Sequence, residues 1–284
     1  MDLATTFALI TMVLWGVGDF LIQKSIRKFG HIETLFLITL ASSIFIIPFV
    51  FSSLSEINLF QWLILLLLGI IVFFGSNVHF IALKKGKLAI VETIIGLELP
   101  LTILLGVLFL KETATTLFNV LAVMFFLGSL FVSIDFQNIK LKSFFEKGAF
   151  LAFSSAIIMA LINFFTAVSL KNLDPWQVIS ISWLVACLIT FSILLKKKRV
   201  KSLFIQIVPD WKLISLMIIF DVTAWLSYAW ALSINYLSTT TSITESYIII
   251  AFILGIFINK EKISVWQILG AVMSLGASLL IAFL

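Results

Sequence analysis

Five acidic residues interrupt apolar runs in this 284-residue chain: Asp19, Glu92, Glu98, Asp221 and Glu245. His79 is the only comparable basic group, because Lys24 stands near the end of its run, where a long side chain reaches outward. An acid-rich set of this kind suits two tasks, holding a cationic or zwitterionic solute and carrying a proton. Helical spacing groups its members. Trp15 and Asp19 stand four apart and share a face. Asp221, Trp225 and Tyr228 fall at i, i+4 and i+7 on one stripe, and an indole there can hold a cation on its π face. Trp15, Asp19, His79, Asp221, Trp225, Tyr228 and Glu245 are therefore the expected solute-binding set. Glu92, Glu98 and Glu245 are the expected proton carriers, with Glu245 foremost because Thr241, Ser242 and Thr244 surround it. Plainer readings stand beside these: Trp15 as packing, His79 as the structural partner of a carboxylate, Asp221 as a satisfied structural acid, Glu92 as a solvated end near the loop lysines. In a continuous helix Glu98 lies about 120° from Glu92, so the two are expected to point apart. Glu112 and Glu261 are expected to be loop residues paired with neighbouring lysines. One cysteine, Cys187, and two histidines give no thiolate cage and little room for a histidine site, so no metal and no cofactor is expected.

What must position these residues follows from composition. The chain is 62% hydrophobic and 12% charged, with a mean hydropathy of +1.21. A soluble domain is nearer half apolar and a quarter charged. This excludes a soluble enzyme, a disordered chain and a nucleic-acid binder. A membrane span needs roughly 20 apolar residues. Ten fit, at about 4–24, 32–53, 60–83, 88–110, 115–134, 146–170, 175–195, 211–234, 238–258 and 264–284. Hydrocarbon offers no partner to an open strand edge, so the spans must be helical. The first has no basic leader and no small-residue cleavage site, and it reads as a retained helix. Trp62, Trp176, Trp211 and Trp266 stand at span starts as interfacial belt residues. Gly69, Gly106, Gly128, Gly255, Gly270 and Gly276 read as close-packing points.

Of the 19 Lys and Arg, all but Lys111 and Lys171 fall in odd-numbered loops, among them Lys140, Lys142 and Lys147 of the fifth. Positive-inside bias then puts those loops in the cytoplasm and both termini outside. The basic run 196–201 reads as an orientation signal, with anionic-lipid recruitment the lesser reading. The chain also repeats. Ala82-Leu83 and Gly106 to Glu112 align with Ala231-Leu232 and Gly255 to Glu261 at an offset of 149, and Asp19-Phe20 aligns with Asn163-Phe164 at 144. Residues 1–136, with five spans, thus repeat as residues 145–284. Five is odd, so the second copy enters the membrane from the opposite face. The expected fold is an all-α polytopic membrane protein of ten transmembrane helices in two inverted five-helix repeats.

Trp15-Gly16, Phe20 and Lys24 in the first span resemble the first helix of the drug/metabolite transporter superfamily, EamA-like family. Pro100 and the apolar run closed by Lys111-Glu112 are similar to the end of that family's fourth helix. The family usually has Gly-Glu there, whereas this chain has Lys-Glu in both halves. The resemblance implies a carrier with a central cavity built from helices 1, 3, 4, 6, 8 and 9. It also implies a small metabolite, amino acid or drug as substrate. The family is usually drawn with cytoplasmic termini, opposite to the loop charges. The expected function is a secondary transporter of an amino acid, amine or drug-like solute in the cell membrane, working by alternating access with proton coupling, as a monomer or homodimer. A carrier of a neutral sugar or nucleobase is the alternative. An enzyme is not expected, because no nucleophile–base pair or phosphate-cradling loop is visible. A channel lacks its filter loop, and an ATP-driven pump lacks its nucleotide motif.

Overall fold

The computed structural model describes residues 2–113, 115–134 and 146–282. Lys140, Lys142 and the junction between the two expected halves lie outside the described residues. The described elements are helices: α1 Leu3–Lys28, α2 His31–Val50, α3 Leu59–Lys85, α4 Leu88–Ile95, α5 Glu98–Leu110, α6 Thr116–Ser133, α7 Ala149–Leu170, α8 Pro175–Lys196, α9 Val200–Ile207, α10 Trp211–Ile234, α11 Leu237–Thr244, α12 Tyr247–Phe257 and α13 Val265–Ala282. Nine stretches are long and apolar enough to cross a membrane, and Val265–Ile281 is a shorter apolar helix. Local chemistry sets the starts. Asp2 accepts from the Thr5 N–H at 2.7 Å. Asn58 with Gln61 opens α3, and Asp174 with Gln177 opens α8, each as a reciprocal capping box.

Two features depart from an even series of ten rods. The seventh loop contains α9, whose exposed Phe204 and Ile205 follow the basic run 196–201. The fourth and ninth spans each contain a tightened turn, at Gly96-Leu97 between α4 and α5 and at Glu245-Ser246 between α11 and α12. The backbone stays right-handed there, and hydrogen bonding continues: the Leu97 N–H donates to the Ile94 carbonyl at 3.1 Å and the Ser246 N–H to that of Ile243 at 3.3 Å. The two turns lie at equivalent positions of the repeat. Packing obeys the same exchange. α1 packs on α10 as α7 packs on α3, and α1 meets α11 and α12 as α7 meets α4 and α5. α2 packs on its own counterpart α8, and α6 on α13. At the last pair, Gly128 and Gly270 bring the two backbones together: a Cβ on Gly128 would lie 2.7 Å from the Gly270 carbonyl oxygen. Gly276 differs from the expectation for it, with nothing within 4 Å of an added Cβ.

The repeated Lys-Glu motif has a structural task that corrects its assignment as a loop ion pair. The Glu112 carboxylate accepts from the backbone N–H groups of Leu237 and Ser238 at 2.9 and 3.0 Å. The Glu261 carboxylate accepts from those of Leu88 and Ala89 at 2.7 and 3.0 Å. Each repeat thus caps the start of a helix in the other, where free N–H groups and the helix dipole favour an anion. The lysine before each glutamate makes the turn: Lys111 and Lys260 sit at φ 61° and 54°. The Glu112 and Glu261 N–H groups then close on the Gly106 and Gly255 carbonyls at 3.2 and 3.1 Å. Glycine is needed beneath, since a Cβ at either position would meet the folded-back carboxylate at 2.8 Å.

Left-handed backbone costs an L-residue about 1–2 kcal/mol, and glycine avoids most of it. Lys111→Gly and Lys260→Gly should each raise stability, by about 1 kcal/mol at most, because both lysine side chains are exposed. Glu261→Ala should lower it by about 1–3 kcal/mol, since two backbone donors lose a charged acceptor. Thermal midpoints of the purified protein in detergent check both directions.

Candidate functional site

A small central cavity of about 50 Å³ is lined by Trp15, Asp19, Ser76, His79, Glu98, Asn163, Trp183, Asp221, Trp225 and Tyr247, with apolar side chains between them. α1 contributes Trp15 and Asp19 from one face, as their spacing requires. α10 contributes Asp221 and Trp225. Tyr228, the third member of that stripe, is fully buried behind the wall.

The aromatic side chains form one continuous surface. The Trp15 ring centroid lies 5.0 Å from Trp225, 5.0 Å from Tyr228 and 5.8 Å from Tyr247. Trp183 lies 5.0 Å from Trp225 on its other side. Trp183 and Tyr247 were not singled out from the sequence. Tyr247 carried a signal, because it occupies the position equivalent to Glu98. Trp183 carried only its place in mid-span.

The polar groups divide into paired and unpaired. His79 Nε2 lies 3.0 Å from Glu92 Oε1. The Tyr247 hydroxyl donates to Glu92 Oε2 at 2.9 Å. Glu92 is wholly buried, which corrects its reading as a solvated end. At the equivalent positions of the second repeat, the Tyr228 hydroxyl lies 3.1 Å from Thr241 Oγ1. The two halves therefore keep the same contact with different chemistry, ionisable in one and neutral in the other. Asn163, equivalent to Asp19, donates to Thr102 at 3.3 Å.

The other acids lack such partners. Among the described residues, the carboxylates of Asp19 and Asp221 make no hydrogen bond or ion pair, although 8% and 7% exposure leaves each over nine-tenths buried. Glu245 is fully buried, and neither of its oxygens has a hydrogen-bond donor. It does not line the cavity. It stands behind Glu98, close enough for the two carboxyl groups to interact. Glu98 lines the cavity, whereas the Glu92 carboxyl lies behind His79 and Tyr247, which line it. Pro100 falls in the first turn of α5, where its missing N–H is best tolerated. No metal set was expected from the spacing. The fold nevertheless places ligand atoms of Asp19, His79 and Glu92 all within 4.8 Å of one another.

The EamA-like transporter family model matches the chain twice, over residues 3–134 and 146–283. Among solved structures 28 chains match. One of them, a crystal structure of a protein, is similar over 97% of this chain and 94% of that one, with a TM-score of 0.67 and 13% sequence identity. At that identity the likeness concerns the fold alone. No curated protein sequence matches the chain.

The Glu92 side chain depends on two donors that no other group in its surroundings replaces. Tyr247→Phe removes one of them and leaves a buried carboxylate oxygen unsatisfied, at a cost of about 1–3 kcal/mol. Tyr236→Phe is the control, because Tyr236 is 69% exposed. A drop in thermal midpoint for the first variant alone is the expected result.

Proposed function

This chain belongs to the EamA-like transporter family, and on that premise we propose that its central cavity binds one small cationic or zwitterionic solute and passes it across the cell membrane by alternating access. The family is one of membrane transporters of small solutes, and the chain is a multi-pass membrane protein. The observation that carries the finer reading is the pair Asp19 and Asp221, unpartnered beside an aromatic wall. A buried carboxylate without a counter-charge is costly, and a cationic group removes that cost. Trp15, Trp183 and Trp225 offer π faces to the same cation. Among the described residues no Lys or Arg lines the cavity.

Proton coupling follows from the same crowding. Glu98 follows one tightened turn and Glu245 forms part of the other, and both are buried. Solute and proton compete for such carboxylates. An inverted repeat with a cavity at the interface of its halves is the arrangement expected of a binding site that opens to each side in turn. The loop charges support an orientation with both termini outside.

Binding raises the apparent stability of the folded state by RT ln(1 + [L]/Kd). Tetraalkylammonium ions, amines, amino acids, sugars and nucleobases are to be tested for this effect at two pH values. Cations or zwitterions should raise the thermal midpoint. Trp225→Ala should weaken that binding roughly 2- to 30-fold, the worth of a cation–π contact. Glu245→Gln should leave the protein folded and remove the pH dependence of uptake into vesicles. Stabilisation by sugars or nucleobases alone, or pH-dependent uptake that survives Glu245→Gln, would sink this reading.

A further inference from the structure

We propose that Asp19 and His79 at the edge of the cavity, with Glu92 buried beside them, form a binding site for a divalent transition-metal cation of the zinc, cobalt and manganese class. Three side chains from three different helices, α1, α3 and α4, bring one nitrogen and two carboxylate oxygens within 4.8 Å of each other. A metal held by such ligands at about 2.0–2.2 Å needs its donors roughly 3–4 Å apart, so a small inward shift of side chains completes the set. One imidazole with two carboxylates suits zinc, cobalt and manganese. Hard oxygen-only cations such as magnesium are less well served by it.

The surroundings are those of a ligand set. Glu92 is oriented from outside by the Tyr247 hydroxyl on its second oxygen, the kind of outer hydrogen bond that fixes a ligating carboxylate. His79 and Glu92 already lie 3.0 Å apart, and the metal takes the place of the hydrogen bond between them. Asp19 is the unspent ligand: over nine-tenths buried, lining the cavity and without a partner among the described residues. A second carboxylate points to a cation independently of these three. Asp221, also buried and unpartnered, lines the same cavity. Three protein ligands leave a coordination position open towards the cavity, where water or an electron-pair donor of a solute can sit.

The inference rests on reading this cavity as a cation site, and the test keeps the two apart by using metal ions without any organic solute. The purified full chain, freed of metal with a chelator, is titrated with zinc, cobalt and manganese chlorides, with magnesium chloride as the comparison. A saturable rise in thermal midpoint with zinc, and visible absorption bands from bound cobalt, are expected. Asp19→Asn leaves the His79–Glu92 contact in place, so it should fold, and it should weaken metal binding at least ten-fold. His79→Gln should do the same and should abolish the cobalt spectrum. His31→Gln, at the start of α2 and remote from the cavity, should bind like the unaltered protein. Absence of a saturable effect, or equal affinity in Asp19→Asn and the unaltered protein, overturns the metal site. Stabilisation by tetraalkylammonium with none by metals overturns this inference alone. Stabilisation by metals with none by organic cations overturns the solute reading alone.

Discussion

Hydrocarbon supplies no hydrogen bond to the backbone, and this chain keeps its fourth and ninth spans bonded through their tightened turns, where the Leu97 and Ser246 N–H groups donate to the Ile94 and Ile243 carbonyls. Both turns fall at the interface between the repeats, next to the cavity that acidic side chains line. The outer ends of the same spans meet the same demand differently. There the acceptor is a carboxylate delivered by the opposite repeat. The fourth and ninth spans are therefore each incomplete without the opposite repeat, and the two halves of the chain are joined by hydrogen bonds as well as by apolar packing.

The Gly…Lys-Glu motif shows how few residues such a joint requires. A missing side chain leaves the space, a left-handed residue reverses the chain, and a carboxylate folds back through the gap. Lysine in the left-handed position is less favourable than glycine, and the chain tolerates it twice. The contacts made by each Glu more than offset that strain, because a charged acceptor on two buried-edge donors is worth more than one backbone conformation.

Much of this architecture was legible in the sequence. Span length and the offset of 149 are one-dimensional signals, and bilayer thickness converts span length directly into helices. The tightened turns were not legible. Hydropathy measures the length of a run and not its local pitch, and Glu245-Ser246 tightens its helix with neither glycine nor proline. The partners of Glu112 and Glu261 lie more than 120 residues away in the chain, so nearby lysines looked like the natural choice. For the cavity, periodicity identified Trp15 with Asp19 and Asp221 with Trp225, because each pair shares one helix face. Trp183 has no acid one turn away to draw notice. The closeness of Asp19, His79 and Glu92 is a product of three helices meeting, which no single-helix pattern contains.

The contact between α3 and α4 differs from its twin between α10 and α11 in one respect. His79 faces Glu92 in the first, and Tyr228 faces Thr241 in the second. Two identical inverted halves, related by a two-fold axis in the membrane plane, would make the two faces of the molecule equal in energy. The chain departs from that equality here, as it does at Asp19 against Asn163 and at Glu98 against Tyr247. An ionisable contact stands on one side of the frame and a neutral one on the other, so the two walls of the cavity are chemically unequal although their backbones repeat.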